Sequence, residues 1–146
     1  MHGMWKRWML VWCGATIALG AALAGMVSPA TEGLGRAYYA MAAGFDPDAV
    51  AFDAPGARFA IALLGAVTIG WGLTMLGIVR SADAGSPLWR HMTLAVVGWF
   101  GIDSLLSIAA GFPHNAALNI GFIGAYLIPV IGSGVMISAR RTTAVI

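Results

Sequence analysis

"GWFGIDSLLSIAAGFPHNAALNIGF", residues 98 to 122, is an apolar stretch that carries Asp103 near its middle, with His114, Asn115 and Asn119 close behind. "GFPHNA" divides it into the end of one apolar run and the start of another. The link is short, so this is a tight reversal between two helices. Working outward, residues 88 to 110 and 115 to 138 each approach the roughly 18 to 20 apolar residues that carry a helix across a bilayer core. Pro129 lies inside the second of these, where a kink is expected.

Two further runs complete the pattern. "WMLVWCGATIALGAALAGMV" covers residues 8 to 27, and "FAIALLGAVTIGWGLTMLGIV" lies within a span of 57 to 80 bounded by Arg58 and Arg80. The chain is 60% hydrophobic and 10% charged, outside the range of soluble globular domains. The fold class expected is all-α, a single integral-membrane four-helix bundle over residues 1 to 146 with a long loop, 28 to 56, between helices one and two. A basic start, "MHGMWKRW", also suits a cleaved leader, but the apolar run after it is longer than the usual leader core. We expect it to be retained.

Charge gives a direction, because Lys and Arg collect on cytoplasmic flanks. Four spans place Lys6, Arg7, Arg80, Arg90, Arg140 and Arg141 on one side, leaving Arg36 and Arg58 on the other. Glu32, Asp46, Asp48 and Asp53 fall in the long loop, which is therefore outer. The expected location is a bacterial inner membrane with both termini cytoplasmic. In the loop, Tyr38, Tyr39 and Met41 suit a short surface helix, and Asp46 before Pro47 reads as a cap and helix start. Ser86 and Pro87 suit the cap and first turn of the third span. The short links predict antiparallel contact between helices two and three and between three and four. Gly14, Ala18 and Ala22, and Ala62, Ala66 and Gly70, recur at helical spacing as packing stripes. Trp5, Trp8, Trp12 and Trp89 read as headgroup anchors, while Trp71 and Trp99 lie deeper.

An uncompensated carboxylate is costly in a membrane and marks a functional position by default. At 1.5 Å per residue, Asp103 lies about 12 Å inside a third helix ending near Gly111, and Asn119 about 9 Å inside the returning helix. They share a layer. Arg58 starts the second helix on that side, so the expected cluster is Arg58, Asp103, Ser107, Asn115 and Asn119, with Tyr38 and Tyr39 on its rim. Asp103 is expected to accept from Arg58 and from Ser107 or Asn119. The cluster is either a structural clasp or the floor of a pocket for a small polar headgroup or a proton.

Other chemistries lack their residues. Cys13 is single, and His91 and His114 fall on opposite faces, so no shared haem or metal site forms within one chain. Asp46, Asp48 and Asp53 lack the spacing of a cation cage. No catalytic motif, nucleic-acid surface or cofactor is predicted, although bound lipid or pigment is compatible with the helices. "ARFAIALLGAVTIGWG", with Arg58 opening a Gly-rich second helix, and the four-helix layout with a long first outer loop resemble small bacterial membrane proteins of the DoxX-like type. The resemblance implies their four-helix fold. The function expected is a non-catalytic accessory or scaffold subunit contacting lipid and a membrane-protein partner or its own copies. The alternatives are a small-ligand or lipid-binding protein built around Asp103, and an accessory subunit of a photosynthetic or respiratory complex.

Overall fold

The computed structural model describes residues 1–46, 51–52 and 54–137. Pro47, Asp48, Asp53, Arg140, Arg141 and the expected end of the last span at 138 lie outside the described residues. The helices are α1 (Gly3–Ala24), α2 (Gly33–Ala42), α3 (Pro55–Ser81), α4 (Pro87–Ala109) and α5 (Pro113–Gly132), with a turn of 3-10 helix, Gly25–Val27, continuing α1. All but α2 are long and apolar enough to cross a membrane, so the chain is a multi-pass membrane protein. Proline opens α3, α4 and α5, where its missing N–H costs no helical bond. Ser86 caps α4, its side chain accepting from the Leu88 N–H.

Packing sets the order α3, α1, α5, α4 around the bundle. The closest pair is α1 with α3; α5 joins α1 to α4, and α2 lies across one end against α1 and α5. The expected contact between α3 and α4 is present but slight, carried by Trp71 against Trp99 at 5.5 Å. The reason lies in which faces are smooth.

Backbone approaches backbone at Gly20, Gly65 and Gly72, all buried. A Cβ on Gly20 would stand 2.7 Å from the Ile69 nitrogen and 2.8 Å from the Gly65 oxygen, and one on Gly65 would collide with the Ala24 backbone. Bilayer helices associate through such close approach. The stripes expected from spacing point elsewhere: Gly14, Ala18, Ala66 and Gly70 are exposed, and nothing lies within 4 Å of a Cβ on Gly14 or Gly70. Small residues recur on several faces of these helices, and only the partner's position selects the one that packs.

Tryptophan holds α1 to α5. Pro129 lacks the N–H that would bond the Ala125 carbonyl four residues earlier. The Trp8 indole donates to that oxygen at 2.9 Å, and Trp12 donates to the Phe122 oxygen at 3.1 Å. Gly132 leaves room for the Trp5 ring, which a Cβ there would meet at 2.8 Å. Trp89 is fully buried, donating to the Asp83 carbonyl in the turn before α4. Trp12 and Trp89 are buried and serve the bundle interior, whereas Trp5 is half-buried and Trp8 is exposed beyond its hydrogen bond, as an anchoring ring would be. The last helix ends at Gly132, short of residue 138, where Gly134 takes a left-handed φ of 61°.

Gly65→Ala is expected to destabilise the bundle by about 1–3 kcal/mol through overpacking, whereas Gly14→Ala is expected to cost nothing measurable. Reversible unfolding of both variants in mixed detergent micelles checks the contrast.

Candidate functional site

The polar layer forms between α4 and α5. Asp103 lies six residues before the end of α4 and Asn119 six after the start of α5, each about 9 Å along its helix from the shared turn. Asp103 Oδ2 accepts from Asn119 Nδ2 at 2.6 Å and from Asn115 Nδ2 at 3.1 Å. The second hydrogen of each amide goes to a serine of α4, Ser104 at 3.2 Å and Ser107 at 2.8 Å. Tyr38 on α2 donates to Asn115 Oδ1 at 2.8 Å. Carboxylate and phenol together fix the Asn115 amide, because its donor end must face Asp103 and its acceptor end Tyr38. Asn119 is buried.

The expected cluster thus meets in Asp103, Ser107, Asn115, Asn119 and Tyr38. Arg58 does not join it. Its guanidinium pairs with Glu32 Oε2 and donates to the Met26 carbonyl at 3.2 Å. Among the described residues the ion pairs are Glu32 with Arg36 and Glu32 with Arg58, so no cation reaches Asp103. Arg58 sits in the first turn of α3, level with Glu32 just ahead of α2, while α3 and α4 splay apart. The nearer acid at the rim takes the guanidinium. Glu32 lies in the connection between the first two apolar runs, and no sequence pattern ties it to Arg58.

The short surface helix expected over Tyr38, Tyr39 and Met41 is present as α2, pinned at both ends. Glu32 holds its start, with Arg36 lying 4.6 Å over the Phe52 ring. Tyr39 meets Phe52 edge-on at 5.5 Å. At its far end Gly44 packs where a Cβ would stand 2.5 Å from the His114 ring, and Gly44 and Phe45 both have left-handed φ. Burial, then the Asp103 charge and then Tyr39 raise the Tyr38 phenol to about 12, so it stays a donor across the physiological range. Tyr39 is raised for the first two reasons.

Asp103 stands where two cavities meet. The first, about 320 Å³, runs between α3 and α4 with Leu64, Val67, Thr68 and Trp71 on one side and Trp99 on the other, floored by Thr16, Leu118, Asn119 and Phe122. The second, about 280 Å³, leads under α2 past Tyr38, Tyr39, Ser107 and Asn115 toward the α4–α5 turn. Trp71 and Trp99 are 5.5 Å apart, and Trp99 is 5.3 Å from Phe122. Thr16, Leu118 and Phe122 escaped sequence reasoning because nothing in an apolar helix says which face borders a gap. Ser104 was the legible omission, being adjacent to Asp103. Among the described residues no three His, Cys, Asp or Glu side chains gather as metal ligands.

Comparison of the chain with protein families, with curated proteins and with solved structures gives no match.

Hydrogen bonds from Arg36 and then Arg58 hold the Glu32 carboxyl below its usual 4.5. A lowered folded value means that this contribution to α2 docking is complete above pH 4.5 and is lost as pH falls below it. Amide protection factors of α2 are expected to drop on acidification through that range, and Glu32→Gln is expected to remove this pH dependence.

Proposed function

We propose that this chain is a non-catalytic membrane protein that takes up a small amphiphile between α3 and α4, with the polar head of that molecule at Asp103. One observation carries the reading. An apolar, aromatic-walled cavity of ligand size ends on convergent polar side chains, at the seam where two adjacent helices barely pack. A gap in that seam supports entry from the bilayer plane, and the second cavity supports a route past α2. The proposed orientation puts α2 at the outer face of a bacterial plasma membrane with both termini cytoplasmic. It is supported by Lys6, whose ammonium reaches the Arg80 carbonyl at the end opposite Arg58. A DoxX-like affiliation is proposed on the four-helix layout and long first connection alone.

Accessory-subunit function is the second reading, favoured by Gly14, Gly70, Gly77 and Gly98. A Cβ on any of them meets nothing within 4 Å, and such positions suit a further membrane helix. This reading also covers an accessory role in a photosynthetic or respiratory complex.

Native mass spectrometry of the chain extracted with its own lipids separates the two. The binding reading expects a defined amphiphile adduct that disappears in Leu118→Trp, where the larger ring fills the first cavity, with helix content unchanged. Equal adducts in both proteins would contradict it, and a stable larger complex without an adduct would favour the accessory reading.

A further inference from the structure

Resting on that binding reading, we propose that the head group received at Asp103 is a cation, so that the ligand is a lipophilic ammonium compound. Charge is the first argument. Asp103 is the acid within the spanning helices, Glu32 engages Arg58 elsewhere, and among the described residues no Lys, Arg or His lines either cavity. A carboxylate in such surroundings is favoured by an opposite charge beside it, which the ligand brings.

The direction of the hydrogen bonds is the second. Both hydrogens of the Asn115 and Asn119 amides are already used on Asp103 and the two serines. The Tyr38 hydroxyl donates to Asn115, and the Thr16 and Thr68 hydroxyls donate to their own helices. What the polar end offers a guest is mainly acceptor capacity, on Asp103 Oδ1 and Asn119 Oδ1. Ser107 and Tyr39 each keep a hydroxyl hydrogen in the second cavity, and the indoles of Trp71 and Trp99 can donate along the wall; these suit a second polar atom of the guest. An anionic head would lie against the carboxylate. The third argument is the wall itself, since Trp99 lies four residues before Asp103 and Phe122 three after Asn119, with Trp71 against Trp99, and aromatic faces attract cations.

Three probes with one tail decide the matter: decylammonium, decanol and decanoate. Each is titrated calorimetrically at pH 8 into the intact chain in phosphatidylcholine nanodiscs, with empty nanodiscs and Leu118→Trp subtracted as partitioning controls. Decylammonium is expected to bind about tenfold or more tightly than the other two, and Asp103→Asn is expected to abolish that preference. Should Asp103→Asn fail to fold, the ranking of the three probes on the native chain decides alone. Equal affinities that vanish in Leu118→Trp would overturn the cationic assignment while leaving amphiphile binding intact. A preference for decanol or decanoate would overturn it likewise. Decylammonium uptake that persists unchanged in Leu118→Trp would be membrane partition, and would overturn the assignment together with the cavity's role.

Discussion

A carboxylate carried into a bilayer by an apolar helix has to be met by donors or an opposite charge, and in this chain the donors come from one neighbour. Two asparagine amides on α5, one turn apart, both aim a hydrogen at Asp103 Oδ2, and each secures its other hydrogen on a serine of α4. Four hydrogen bonds therefore cross one helix pair at one level. A register slip of either helix would move them apart by at least 1.5 Å per residue, so the layer fixes how α4 and α5 meet. Tyr38 extends the network to α2 and sets that helix over the cavity.

The rest of the architecture divides between smooth and open seams. Gly20, Gly65 and Gly72 let α1 and α3 approach to backbone contact, while three tryptophans of α1 engage α5. With α3 drawn to α1, and α4 held to α5 by the polar layer, the seam between α3 and α4 is left to side chains. Trp71 and Trp99 meet across it, and the cavity opens around them. Tight packing on one side of the bundle and the gap on the other thus have a common origin.

Some of this was legible from residues alone. The four spans follow from length and apolarity, the Ser86–Pro87 start of α4 from capping chemistry, and α2 from an amphipathic stretch in a loop too long to be irregular. The shared depth of Asp103 and Asn119 followed from counting residues away from a tight turn, because rise per residue is fixed. Rotation about each helix axis was not legible. An apolar helix is greasy all round and gives no face preference, so the glycines that pack, the residues bordering the cavity and the partner of Arg58 all depend on contacts that spacing does not encode. Trp8 illustrates the point: a ring near a membrane boundary reads as an anchor, yet its N–H meets the carbonyl that Pro129 leaves without its helical partner.

The claim on which the account turns is that the Asp103–Asn119 contact couples α4 to α5. A double-mutant cycle with Asp103→Ala, Asn119→Ala and the pair, read by reversible unfolding in bilayers or bicelles, measures that coupling directly. A favourable coupling of roughly 0.6–1.7 kcal/mol, from the average to the maximum for side-chain hydrogen bonds between membrane helices, is expected. Additive losses, with no coupling beyond error, would contradict it.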